Sequence, residues 1–260
     1  MLPIADTLEV QSAAAHHKSD GARRLIPYSV SSMFGGAFIG VAVVLMVSTA
    51  GPFVAAGHPA AKLVAGAVFG VALTLVVFVG VELSTSGMMV LTQGALTRSI
   101  RWGRAAGVLA LCFLGNLVGS IVFAALVVWS GVLHSNPAAG AMVEGMLEAK
   151  AHETPLELLA RGVLCNMLVC LAIWACGRLQ SEAGKAIIIF WALLAFISSG
   201  FEHVVANMTT FSIGIIAGME QTSIAEFGRN LLLVGTGNLI GGAIVAGLGL
   251  AVAAGWPKRG

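Results

Sequence analysis

Ser198-Ser199-Gly200-Phe201-Glu202-His203-Val204-Val205-Ala206-Asn207-Met208 sets a carboxylate, an imidazole and an amide within six positions. Ile187 to Ile197 before it and Phe211 to Ile216 after it are almost wholly apolar. Ionisable groups flanked this way lie at bilayer depth, where they are costly unless they face protein or water, and so mark functional sites by default. Histidine has an unperturbed pKa of about 6.5, so a modest change of surroundings switches its charge near neutrality. The chemistry this suggests for His203 is proton transfer, or a strong hydrogen bond, to a small anion. A bare anion between apolar walls costs several kcal/mol in effective terms, and a donor at that point offsets the cost.

Glu202 has two readings from sequence: it tunes the histidine, or it holds loop backbone N–H groups. Gly80-x-Glu82 followed by Met88 repeats the pattern of Gly200-x-Glu202 followed by Met208, but without a histidine. A glutamate that recurs without the histidine favours the holding role. Other reactive patterns are missing: the sequence has no nucleotide-binding glycine loop, no nucleophile elbow and no histidine pair at metal spacing. No enzyme, cofactor or metal is expected. Cys112, Cys165, Cys170 and Cys176 fall in or beside apolar runs and read as buried thiols.

The elements that must hold these residues follow from composition. Of 260 residues, 58% are hydrophobic and 10% charged, with mean hydropathy +0.94. Soluble domains carry roughly 25% charged residues, so the chain reads as an all-α, multi-pass membrane protein. A net charge of +2 without a clustered basic stripe gives no reason to expect nucleic acid. Residues 1–26 are polar and read as a cytoplasmic N-terminal segment, with no signal peptide evident; residues 27–255 form a single channel domain.

A spanning helix takes about 20 apolar residues. Six runs qualify, at about 27–49, 63–96, 105–129, 158–176, 186–216 and 230–254. The first is expected to end at Gly51-Pro52. The second and fifth are too long for one straight span and too short for two. Both read as helices broken by loops at Gly80–Gly87 and in the histidine motif; irregular backbone at membrane depth is tolerated only against protein or a cavity. Ser130 to Glu157 reads as a polar connector.

Two motifs recur in the same order: the Gly-x-Glu segments at an offset of 120, and Gly115-Asn-Leu-Val-Gly119 against Gly237-Asn-Leu-Ile-Gly241 at an offset of 122. Three spans per half place the repeats, about 27–130 and 157–254, in opposite orientations. Matching interrupted helices in inverted halves point to a site near the midplane. Ten of the 14 Lys and Arg residues fall on one side if the N-terminus is inside, which puts both termini in the cytoplasm.

Gly200-Phe-Glu-His-Val-Val-Ala-Asn-Met208, Glu82-Leu-Ser-Thr-Ser86 and Leu164-Cys-Asn-Met-Leu-Val-Cys-Leu-Ala-Ile-Trp174 resemble the fifth-helix loop, second-helix loop and fourth-helix signature of the formate/nitrite transporter family. The likeness runs from about Tyr28 to Leu248. Leu193-Leu-Ala-Phe-Ile-Ser-Ser-Gly200 and the run ending in Trp174 are most like the nitrite-channel branch.

The resemblance implies an aquaporin-like protomer with a 3+3 inverted repeat, a homopentamer in the lipid of a bacterial inner membrane, and a pore for nitrite or formate in each protomer. It implies that His203 is the central pore histidine, with Glu202 beside it and Thr85 facing it. Phe69, Leu73, Leu83, Val169 and Phe196 would build apolar constrictions, Asn166 and Asn238 polar pore walls, and Lys150 a vestibule cation. Val204 and Ser84 depart from the family pattern, where a small polar and a larger apolar residue are usual.

A pH-dependent nitrite channel is therefore the leading expectation. The alternatives are a formate, acetate or hydrosulfide channel of the same build, a neutral-solute aquaporin-type pore, or a sensor without flux. Paired Asn-Pro-Ala loops would mark the neutral-solute pore, but Asn136-Pro137-Ala138 lies in the connector.

Overall fold

The computed structural model describes residues 1–220 and 222–257. Lys258 and Arg259, two of the cations counted as cytoplasmic, lie outside them. Among the described residues every regular element is helical. Helix α1 (Ile4–Gly21) precedes α2 (Leu25–Ala55), and α3 (Ala61–Phe69) runs through Gly70 into α4 (Val71–Val79). An extended segment leads to α5 (Ser84–Leu96). Then come α6 (Trp102–Trp129), the short α7 (Val132–Ser135), α8 (Pro137–His152), α9 (Pro155–Arg178), α10 (Glu182–Ser198) and α11 (Val204–Ala217). α12 (Ile224–Leu239) passes into a π-helical segment, Ile240–Leu248, and ends in α13 (Gly249–Ala253).

Among the described residues, five stretches are long and apolar enough to cross a membrane: Leu25–Ala55, Ala61–Val79, Trp102–Trp129, Pro155–Arg178 and Ile224–Ala253. The run read as a fifth span is divided between α10 and α11, of 17 and 14 residues, neither long enough alone. Large apolar side chains such as Phe34, Phe78, Leu114, Leu126 and Leu232 stay exposed on the outer faces. The buried core lies between the helices, from Ile39 and Val43 on α2 to Phe196 and Phe211 beside the histidine loop.

Three boundaries differ from the sequence expectation. Gly51-Pro52 does not end the first span; α2 continues to Ala55 with Pro52 inside it. Proline removes the N–H that would bond the carbonyl four residues back. That carbonyl, on Ser48, instead accepts from Asn136 Nδ2 at 3.2 Å. Gly51 lets α8 approach, since a Cβ there would lie 2.6 Å from the Ala138 carbonyl oxygen. The polar connector holds a 16-residue helix, α8, with Pro137 in its first turn and Asn136 as its cap. Residues 1–26 are not a detached lead-in: α1 buries Thr7, Leu8, Gln11 and Ala15, and Leu2 N–H donates to Arg178 C=O at 2.9 Å.

The two Gly-Asn-x-x-Gly motifs sit where helices cross at backbone contact. A Cβ on Gly119 would lie 1.9 Å from the Met33 carbonyl oxygen, and one on Gly241 would lie 2.2 Å from that of Val163. Small residues let backbones meet this way in lipid, where packing rather than hydrophobic exclusion drives association. Gly241→Val should push the π-helical segment off α9 and cost about 1–3 kcal/mol or more, as overpacking does. Thermal unfolding of the detergent-solubilised protein checks this; an unchanged midpoint would mean the helices do not meet at Gly241.

Candidate functional site

The two interrupted segments are built alike. α4 ends at Gly80 (φ 78°) and α10 is followed by Gly200 (φ 75°), left-handed positions that glycine takes without strain. Three residues later, Leu83 and His203 are extended, and α5 and α11 begin. The break in the first half is thus Gly80–Leu83; Ser84 to Gly87 already form the first turn of α5.

An asparagine from the Gly-Asn-x-x-Gly motif clamps each break. Asn116 Oδ1 accepts from Ser84 N–H at 2.8 Å, and its Nδ2 donates to Glu82 C=O at 2.9 Å. Asn238 Oδ1 accepts from Val204 N–H at 2.9 Å, and its Nδ2 donates to Glu202 C=O at 2.9 Å. Each amide also donates to a crossing helix, at Ser32 C=O (2.7 Å) and Gly162 C=O (2.8 Å). These bonds satisfy backbone groups that would otherwise be orphaned inside the membrane. Asn166 belongs to the same framework, donating to Thr85 C=O at 3.1 Å and Asn238 C=O at 2.7 Å. Asn166 and Asn238 are fully buried and line neither cavity described below. Their hydrogen bonds fix the loops.

His203 caps α11: its Nδ1 accepts from Ala206 N–H at 3.2 Å. Its Nε2 lies 3.0 Å from Thr85 Oγ1, across the junction between the two halves. An imidazole nitrogen that accepts carries no proton, so the neutral ring holds its proton on Nε2. That N–H donates to Thr85, and the Thr85 hydroxyl proton remains free for another acceptor. The ring stacks on Phe196 with centroids 6.0 Å apart, and Phe196 meets Phe69 edge-on at 5.7 Å.

A cavity of about 350 Å³ reaches His203 from one side, lined by Lys150, Glu153, Arg161, Glu202 and Asn207 among others. Beyond the ring lies a void of about 10 Å³ bounded by Phe69, Leu73, Leu83, Val169, Phe196 and His203. The apolar residues that the resemblance implies for constrictions therefore come together, and the void among them is at the lower limit, about 10–15 Å³, of what holds a single water.

Glu202 does not hold loop N–H groups through its carboxylate, as the sequence favoured. Those donors are already taken: Val204 N–H by Asn238, and Glu202 N–H by Arg161 C=O at 3.3 Å. The carboxylate oxygens instead receive Lys150 Nζ, at 2.6 Å to each, and Asn207 Nδ2 at 2.6 Å. Lys150, implied as a vestibule cation, borders the cavity but is 7% exposed and neutralised by this pair. Lys18 Nζ on α1 meets Glu82 Oε2 at 2.6 Å in the corresponding way.

Asn207 also donates to Asn230 Oδ1 at 2.8 Å. Sequence reasoning missed Asn207, Asn230, Glu153 and Arg161 as site groups. Asn207 follows His203 by one helical turn and was legible from spacing; the others join the site only through tertiary packing. Val204 is fully buried in apolar surroundings, and Ser84 Oγ is buried with no hydrogen-bond partner among the described residues.

A family model described as formate/nitrite transporter matches residues 5–252. The nitrite transporter NirC of Escherichia coli (strain K12) is 41% identical over 248 residues, covering 95% of this chain and 91% of that protein. A solved structure described as an FNT family ion channel superposes with a TM-score of 0.88 at 36% identity, covering 95% of this chain and 98% of that one. Another, described as a pentameric formate channel with formate bound, has a TM-score of 0.74 at 26% identity, covering 89% and 98%. These relatives are transporters and channels, not enzymes. The chain, a helical membrane transport protein, belongs to the formate/nitrite transporter family.

Proposed function

We propose that this protein conducts small monovalent anions, nitrite foremost, through each protomer of a homopentamer in the lipid of a bacterial inner membrane, with both termini cytoplasmic. Six spans form an inverted 3+3 repeat, and the two loops meet at the permeation site. The observation that carries the reading is the His203 Nε2–Thr85 Oγ1 contact of 3.0 Å, between a polar-mouthed cavity and an apolar ring. An anion leaving the cavity meets there a donor pair that can replace part of its lost water.

Of the two modes open to His203, the cap favours hydrogen bonding. A second proton on the ring would have to go on Nδ1, which is engaged with Ala206 N–H. An entering anion draws the Nε2–H away from Thr85, so that the ring N–H and the Thr85 hydroxyl donate to it together. Conduction then follows pH through the fraction of ring that gives up its cap to become imidazolium, and through the anion's own conjugate acid.

The identity with NirC supports nitrite. The likeness to a formate-bound channel supports formate as the second reading, and the side chains at the site suit either planar anion. Proteoliposomes loaded with nitrite, formate, acetate or hydrosulfide and followed from pH 5 to pH 8 test the proposal. Nitrite should move fastest, with flux rising as pH falls. Anion flux no greater than in protein-free liposomes would sink it.

A further inference from the structure

Outside the histidine site, the mouth of the 350 Å³ cavity holds a second set of charges that the proposed conduction does not use. Glu153, in the link between α8 and α9, ion-pairs through Oε1 with Arg161 Nη1. Both side chains line the cavity, Arg161 at 38% and Glu153 at 12% exposure. Glu153 Oε2 is buried with no hydrogen-bond partner among the described residues. A buried carboxylate oxygen without a donor is penalised, and protonation relieves the penalty.

We propose that Arg161 is an anion-docking group at this mouth and that Glu153 is its internal competitor, released from the guanidinium when the carboxyl takes up a proton. The proposal rests on anion conduction as the function. Its chemistry is one of shape: nitrite and formate are planar anions with two oxygens, as a carboxylate is. A guanidinium fork can bind any of them through its N–H groups, and here Nη1 is taken by Glu153 Oε1. Glu153 thus occupies the seat that an entering anion needs.

The surroundings push in the required direction. Burial first, and the nearby Glu202 carboxylate next, raise the Glu153 pKa above the ordinary glutamate value; Lys150 and Arg161 oppose this. Glu157 on α9 also faces the group. From α12, Arg229 contacts the Glu153 carbonyl, reaches Lys150 C=O at 3.4 Å and pairs with Glu226. Lys62 on α3 lines the same cavity, and His152 at the end of α8 turns its Nδ1 to Glu148 C=O at 2.8 Å. Lys150 itself is held by Glu202, which leaves Arg161 as the cation whose partner a single proton can remove.

Arg161 also connects the mouth to the centre. Its backbone carbonyl accepts the Glu202 N–H at 3.3 Å, one residue before His203. An anion docked on its side chain therefore stands on the helix that helps fix the histidine loop.

The test is saturable nitrite uptake by proteoliposomes of the full chain at several pH values, with ¹³C-formate line broadening on solubilised protein as a flux-independent readout of docking. In wild type the half-saturating concentration should fall as pH falls. Glu153→Gln should lower it about two- to fivefold at neutral pH, the worth of a partly exposed ion pair, and flatten its pH dependence. Arg161→Gln should raise it and remove the dependence; Arg161→Lys, which keeps charge but not the fork, should fall between. A Glu153→Gln profile that tracks wild type, with wild-type flux intact, overturns the docking role and leaves conduction standing. Line broadening that follows the expected pattern without any flux would overturn conduction and leave the docking role standing.

Discussion

His203→Asn should remove the histidine's share of the pH dependence of anion flux while leaving the protein folded. Asparagine is among the best helix caps, so its side-chain oxygen can take over the Ala206 N–H that His203 Nδ1 accepts at 3.2 Å. It is too short to reach Thr85 across the 3.0 Å contact made by Nε2. The variant therefore separates the cap from the donor, which alanine would not do. A hydrogen bond to a charged group is worth about 1.5–3 kcal/mol, so anion affinity at the centre should fall roughly tenfold to a hundredfold. Flux at pH 5 relative to pH 8 should collapse toward the ratio set by the anion's own conjugate acid. Uptake assays across that range, with thermal unfolding of both proteins as the fold control, check it. Retention of the wild-type profile would remove His203 from the mechanism.

Lys150→Met should be among the most damaging single changes away from the histidine. It strands the Glu202 carboxylate, 7% exposed, with Asn207 as its remaining side-chain donor. Breaking a buried pair from one side typically costs 3–5 kcal/mol, because an uncompensated charge is left behind. That is a large part of the roughly 5–15 kcal/mol by which proteins are stable. The companion variant Lys150→Met/Glu202→Gln removes the stranded charge and should recover most of the loss. Yield and unfolding temperature of the two variants decide the matter. If the single variant is as stable as the parent, the pair is not a structural strut, and Lys150 is better read as a free cation of the vestibule.

The membrane class, the interrupted runs and the pairing of Gly-x-Glu with Gly-Asn-x-x-Gly were all legible in the sequence, because each is carried by local composition. Apolar runs of fixed length answer to the thickness of the bilayer. A titratable residue at depth is conspicuous against them. Thr85 and His203 lie 118 positions apart, yet they were paired from their motifs and are in contact.

Pairing across the fold was harder to read. Lys150 sits in a stretch that looks like a solvated connector, and a one-dimensional string does not show that α8 tucks it under the loop to meet Glu202. The role expected of the Glu202 carboxylate fell to Asn238, because hydrogen-bond partners are settled by which acceptor the fold brings within reach of an N–H. Gly51-Pro52 reads as a stop by local propensity, and Asn136, 84 residues beyond Pro52, overrides it by taking the orphaned Ser48 carbonyl.

By itself, then, the sequence determined that this chain is a helical membrane protein with an imidazole set between apolar runs, since hydropathy and motif spacing are properties of neighbouring residues. Only the tertiary structure decided which nitrogen of that imidazole is free to donate, which carboxylate is neutralised and by what, and which asparagines brace loops. Those outcomes depend on distances of about 3 Å between residues far apart in the chain, at the range where a hydrogen bond is made or lost.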